Sequence, residues 1–284
     1  MTILPQPGSK FLEVNGLRLH YLDWGNAGAP PLVCLHGYTA SACAFNALAR
    51  HFRDRFHIIA LDVRGHGESG WSPTGSYQYS DQSADLEGLV NRLGLERFTL
   101  LGTSMGGLIA MTYAGTNSKR LERLVINDIG PDVEEGSHRI TRMVGTRPDD
   151  FATLEEAMTY RRQAAPVLAR GSEVDQRETA LGVVRKRPDG RWGWKLDPEY
   201  IHQRVRRGPP IRPPLWPVLE KMPCPTLVVW GMESDVLSEG QARRMVQVLP
   251  KGELLAVPGM GHAPTLLSQE ELRALDRFLC GPPD

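Results

Sequence analysis

Ser104 stands between two glycines in Gly102-Thr103-Ser104-Met105-Gly106, inside the otherwise apolar run LLGTSMGGL. In a chain of 284 residues with 29 glycines, a G-x-S-x-G match means little by itself, and its neighbourhood decides its meaning. The preceding FTLL reads as a buried strand and the stretch from Met105 as a helix, so the chain must turn sharply between them. Small residues at 102 and 106 let strand and helix approach, while a serine on such a turn takes a strained backbone conformation that presents its hydroxyl at the carboxyl edge of the sheet. The chemistry this spacing predicts is nucleophilic attack on a carbonyl carbon.

A serine hydroxyl is a poor nucleophile at neutral pH; it needs a base to take its proton and a third group to hold that base in the right tautomer. On a strand-turn-helix elbow of this kind the acid and then the histidine follow the serine along the chain. That order removes His20, His36, His51, His57 and His66, and leaves His138, His202 and His262. The first two lie in an Arg- and Pro-rich middle region where a surface histidine is the ordinary reading. His262 ends LLAVPGMGH, a strand and a glycine-containing loop, and is the expected base. Two carboxylates compete for the third role, Asp235 in VVWGMESDVLS and Asp128 in VINDIGP. Each follows a predicted strand and reaches the same edge of a parallel sheet. Each also has a structural alternative: Asp235 as a cap on the helix beginning near Glu239, Asp128 as a brace for the turn at Gly130-Pro131. Attack by Ser104 would place negative charge on the former carbonyl oxygen, and two backbone N–H donors could each contribute about 3 kcal/mol of stabilisation. The expected donors are Met105, at the head of the helix, and Tyr38, in the loop of CLHGYTAS; His36 is expected to hydrogen-bond within that loop rather than to move protons.

The elements that must position these groups follow from periodicity. FLEVNGLRLHYLDWG alternates apolar and polar residues on both sides of Asn15-Gly16, a two-residue turn that favours positive φ, and predicts an antiparallel hairpin. Beyond it, PPLVCLHG, FHIIALDVRGHGESG, RFTLLGTSMGG and RLVINDIGP read as buried parallel strands separated by helical stretches. From about Pro131 to Pro217 the alternation stops, helix-like pieces such as LEEAMTYRRQAAPVLA appear and no strand is evident, whereupon CPTLVVWG, GQARRMVQVLP, GELLAVPG and QEELRALDRFL resume it. The reading is an α/β core domain over residues 1–130 and 218–284, interrupted by a helical cap at 131–217.

Composition narrows the function classes. Lys+Arg and Asp+Glu balance at 33 each, which offers no overall field for nucleic acid or an anionic membrane. Four scattered cysteines without a CxxC pair fit free thiols in a reducing compartment, and the N-terminal stretch lacks the features of a secretory signal. A soluble cytoplasmic protein with no metal or cofactor is expected; its oligomeric state is left open.

Taken together, HGYTAS, DVRGHGESG, GTSMGG, GMESD and GMGH, in that order, resemble the α/β-hydrolase superfamily over nearly the whole chain, nearest to its small bacterial esterases, enol-lactonases and ring-cleavage-product hydrolases. The resemblance implies a mostly parallel eight-stranded sheet flanked by helices, with a helical cap over the site. It also favours Asp235 over Asp128, since the loop after the seventh strand is the commoner source of the acid. Ser104 at the elbow argues against haloalkane dehalogenases and epoxide hydrolases, which carry aspartate there, and Met105 against proline iminopeptidases, which typically carry tryptophan.

The cap supplies the one hint about substrate. It contains Arg161-Arg162, Arg185-Lys186-Arg187 and Arg206-Arg207, with Trp192 and Trp194 among them. A solvated basic face is the plain reading. The sharper one is that Arg161, Arg162, Arg206 or Arg207 turns inward to clamp a substrate carboxylate. The function expected is hydrolysis of a small ester or lactone through an acyl-enzyme intermediate. The alternatives are carbon-carbon or amide hydrolysis of an anionic ring-cleavage product, and a hydrolase-fold ligand receptor.

Overall fold

The computed structural model describes residues 4–132 and 146–281; His138, and with it part of the predicted cap, lies outside them. In chain order the strands are β1 (Gly8–Val14), β2 (Leu17–Asp23), β3 (Pro31–Leu35), β4 (His57–Leu61), β5 (Phe98–Thr103), β6 (Leu121–Asn127), β7 (Asp150–Phe151), β8 (Val184–Lys186), β9 (Trp192–Trp194), β10 (Thr226–Gly231) and β11 (Gly252–Val257). The described helices used below are α1 (Asn46–Phe52), α2 (Tyr79–Arg92), α3 (Met105–Asn117), α4 (Leu154–Ala164), α5 (Glu173–Val183), α6 (Pro198–Arg207), α7 (Trp216–Glu220), α8 (Glu239–Val248) and α9 (Gln269–Cys280).

Eight strands form one sheet in the order β1-β2-β4-β3-β5-β6-β10-β11. The β1–β2 hairpin turns at Asn15 and Gly16, whose φ values of 52° and 73° suit the primed turn expected there. β2 pairs antiparallel with both β1 and β4, and the five remaining pairings in this sheet are parallel. The parallel strands read as unbroken apolar runs because both their faces are covered. Val33 and Leu35 of β3, Leu100 of β5 and Leu124 and Ile126 of β6 belong to one core. Leu32 and Cys34, Leu101 and Val125 point the other way into a second. A period of two is thereby hidden under uniform hydrophobicity.

Between β6 and β10 the chain is not purely helical, which corrects the expectation of a cap without strands. β7, β9 and β8 form a small antiparallel sheet. β8 and β9 are joined across Arg187–Arg191, where Gly190 takes φ 84°. Strands of two or three residues are too short to establish alternation, and the Pro188-Asp189-Gly190 turn was the available signal. This segment has its own small core, with Phe151, Leu154, Met158 and Val183 buried together. It is tied to the large sheet domain by the Tyr77 hydroxyl donating to the Asp197 carboxylate, by the Asp197 amide donating to Gly65 O at 2.8 Å, and by Arg50 bonded to Asp175 at 3.1 Å.

All four cysteines are free. Among the described residues no helix is long and apolar enough to cross a membrane, and no group of three or more His, Cys, Asp or Glu is placed to hold a metal ion.

Candidate active site

Ser104 sits between the last residue of β5 and the first of α3 with φ 52° and ψ −114°, a conformation costly for a residue bearing a Cβ. The turn is possible because of what flanks it. A Cβ on Gly102 would strike the backbone at Gly106 and Gly107, and one on Gly106 would strike the Leu35 carbonyl. The Ser104 amide donates to Asn127 O at 2.9 Å, which fixes the elbow against the end of β6.

The hydroxyl of Ser104 lies 2.9 Å from His262 Nε2, and His262 Nδ1 lies 2.8 Å from Asp128 Oδ2. A carboxylate only accepts, so Nδ1 carries the proton and Nε2 is left to accept from the serine. Asp128 is fully buried and well satisfied: Oδ1 accepts from the Gly231 amide at 3.0 Å, and Oδ2 from the Ala263 amide at 2.9 Å and the Ser234 hydroxyl at 2.7 Å. These donors come from the loops that follow β10 and β11 and from the last residue of β10. The register explains their convergence: Thr103 pairs with Asn127, and Asn127 with Val229, so the carboxyl ends of β5, β6 and β10 are level.

The preference for Asp235 is therefore corrected by the geometry. Asp235 is exposed, and the residue of its loop that enters the array is Ser234. Its hydroxyl donates to Asp128 while accepting from the Val236 and Leu237 amides, both at 3.2 Å. The loop supplies no carboxylate to His262; the neighbouring Ser234 is the side chain that turns inward. His202, for which a surface position was the ordinary reading, has a largely exposed side chain on α6 with Glu199 at 3.8 Å.

The loop after β3 runs alongside the serine. A Cβ on Gly37 would lie 3.5 Å from the Ser104 Cβ, so the residue before Tyr38 runs close against the Ser104 side chain. His36, fully buried, donates from Nδ1 to Gly37 O at 2.8 Å and accepts at Nε2 from the Val63 amide at 3.0 Å. It is thus a loop brace, as expected, and burial holds its pKa below the ordinary histidine value. The His66 ring packs 5.1 Å from it and bonds Tyr38 O at 2.7 Å. Met105 opens α3, and an amide at that first helical position has no intrahelical acceptor.

A cavity of about 240 Å³ opens onto Ser104 and His262, walled by the β3 loop on one side and by the segment between β6 and β10 on the other. Cys43 lines it, but burial pushes this thiol up to about 11, so it is no rival nucleophile at neutral pH.

Of the four arginines expected as candidates for a substrate carboxylate, only Arg161 lines this cavity. Arg162 bonds Glu155 at 2.9 Å, Arg206 bonds Glu199 at 3.1 Å, and Arg207 is exposed. The difference was legible in α4, whose buried stripe is Leu154, Ala157, Met158 and Arg161. Position 161 continues an apolar i, i+3, i+4, i+7 pattern and 162 does not. Arg161 is 9% exposed, and burial pushes its guanidinium down to about 10, which leaves it charged at neutral pH. Arg147 also lines the cavity, its guanidinium 4.9 Å from the Trp194 ring centroid, and nothing in the sequence distinguished it from its neighbours.

Residues 30–268 match the α/β hydrolase fold family, and the chain belongs to it. It is 30% identical over 274 residues to 3-hydroxybutyrate-oligomer hydrolase of Cupriavidus necator, covering 93% of each chain. It is likewise 30% identical over 267 residues to the mouse sn-1-specific diacylglycerol lipase ABHD11, covering 90% of this chain and 82% of that one. The crystal structure of an α/β hydrolase from Novosphingobium aromaticivorans matches with a TM-score of 0.86 at 31% identity, over 98% of this chain and 99% of that.

Proposed function

We propose that this chain is a cofactor-free serine hydrolase that cleaves a small carboxylic ester or lactone through an acyl-enzyme intermediate. The observation that carries the reading is the continuous relay from Asp128 through His262 to Ser104, at 2.8 and 2.9 Å. Ser104 Oγ attacks the carbonyl carbon as His262 Nε2 takes its proton, and Asp128 stabilises the imidazolium that forms. The Tyr38 and Met105 amides receive the oxyanion. As the tetrahedral adduct collapses, the imidazolium returns the proton to the leaving alkoxide, and water then repeats the sequence on the acyl-serine. The bacterial relative named for 3-hydroxybutyrate oligomers supports a short hydroxyacyl ester as the first substrate to try. Domain boundaries at 131 and 217 fit this reading, with the cap segment forming the outer wall of the acyl site.

Two measurements test it. A fluorophosphonate should label the protein at Ser104, identified by peptide mass spectrometry, and Ser104→Ala should abolish both labelling and turnover of the linear 3-hydroxybutyrate dimer. More than a tenth of wild-type kcat in a folded Ser104→Ala variant would rule out this nucleophile. A second reading, cleavage of an amide or carbon-carbon bond in an anionic ring-cleavage product, draws on the arginines of the cavity. It requires loss of absorbance of a dienoate substrate at a rate above that of dimer hydrolysis.

A further inference from the structure

Arg161 poses a problem that the hydrolase reading leaves unanswered. It lies on the buried stripe of α4, lines the cavity beside Ser104, and carries a charge there. Among the described residues no carboxylate pairs with it. Among the described residues the one acid that lines the same cavity, Asp175, is held by Arg50 at 3.1 Å. The other cations of the wall differ: Lys195 is paired with Glu68 at 2.5 Å, and Arg147 rests on the Trp194 face. A buried guanidinium without a counter-charge destabilises the fold that contains it. A guanidinium fork is also the side chain best shaped to take a carboxylate through two parallel hydrogen bonds.

We propose that Arg161 is the substrate-carboxylate site of this cavity, so that the preferred substrates are esters bearing a second, free carboxylate. The inference rests on the assignment of Ser104 as nucleophile and adds the class of molecule that Ser104 acts on. Arg161 is a specificity-determining residue: the substrate carboxylate supplies the missing counter-charge, and a neutral glyceride or alkyl ester leaves the guanidinium unpaired.

The test compares the linear 3-hydroxybutyrate dimer with its terminal carboxamide, identical at the scissile ester. Wild type should favour the acid in kcat/KM by about 30-fold or more, as a charge-assisted pair implies. In Arg161→Met that ratio should fall to near 1, and in Arg161→Lys it should be partly restored. Arg161→Met should also melt no lower than wild type, because an apolar side chain replaces an unpaired buried charge; a purely structural arginine would lower the melting temperature. On the same samples 3-hydroxybutyrate should slow fluorophosphonate labelling of Ser104 in wild type and not in Arg161→Met, with 3-hydroxybutyramide protecting neither. This arm reports even if neither dimer is turned over. Equal wild-type rates for acid and carboxamide with equal protection, or an unchanged ratio in Arg161→Met, would overturn the carboxylate site while intact labelling left the hydrolase standing. Absence of labelling at Ser104 would overturn both.

Discussion

The amide of Ser104 donates to the carbonyl of Asn127 at 2.9 Å, and Asn127 immediately precedes the carboxylate that His262 meets. Ser104 and Asp128 are thus held one hydrogen bond apart through the backbone of adjacent strands, independently of the histidine between them. Replacing Asp128 with asparagine should leave that frame intact and remove only the partner of the imidazolium. We expect kcat for ester hydrolysis to fall by up to about 10⁴-fold in Asp128→Asn, and by less than about tenfold in Asp235→Asn, whose side chain is exposed. Steady-state kinetics on both variants, with circular dichroism to verify folding, decides the matter. A severe loss in Asp235→Asn would refute the assignment of Asp128.

The φ of 52° and ψ of −114° at Ser104 carry a stability cost of about 1–3 kcal/mol that a residue without a Cβ largely escapes. Ser104→Gly should therefore be more stable than Ser104→Ala by about 1 kcal/mol in urea unfolding, although both are inactive. Indistinguishable midpoints would mean that the elbow is not strained.

Gly106 illustrates the opposite limit, since a Cβ there meets the Leu35 carbonyl rather than a movable side chain. Gly106→Ala should cost about 1–3 kcal/mol or more as β3 and α3 are pushed apart, and activity should fall with it. A thermal melt unchanged within about 2 °C would contradict this close approach.

His36 predicts a pH effect on stability. Its folded pKa lies below the ordinary value of 6.5 because burial disfavours the charged ring, and protonating Nε2 would break the bond from the Val63 amide. A depressed folded pKa means that this contribution is complete above pH 6.5 and is lost as pH falls below it. The slope cannot exceed about 1.4 kcal/mol per pH unit for each proton taken up. Urea midpoints measured between pH 7.5 and 5 should be flat above 6.5 and then decline, and His36→Asn should show a shallower decline. A flat profile down to pH 5 would show that His36 does not bind its proton more weakly in the fold.

Much of this was legible in the residues. That Ser104 and His262 meet could be anticipated because GTSMGG and GMGH each sit where an apolar run ends, and the turn itself demands glycine. The count of eight strands followed from the family resemblance, and their order was not read at all, since buried parallel strands carry no alternation from which to derive it. The acid could not be chosen from two loops that reach one edge of the sheet: selecting between them requires knowing which side chain of ESD turns inward, and that depends on the Val236 and Leu237 amides gripping Ser234. The short strands of the inserted segment were missed for want of length. Arg161 was nominated with three others, and only the burial stripe of α4 separates it from them.

The Ser234 hydroxyl, 2.7 Å from Asp128 Oδ2, has a bearing on how such a site can change through descent. Two loops on neighbouring strands deliver an oxygen to nearly the same point, one as carboxylate and the other as the hydroxyl that steadies it. An aspartate at 234 would bring a second carboxylate to nearly that point. The place of the carboxylate beside His262 is in that sense a property of a location at the sheet edge rather than of one strand.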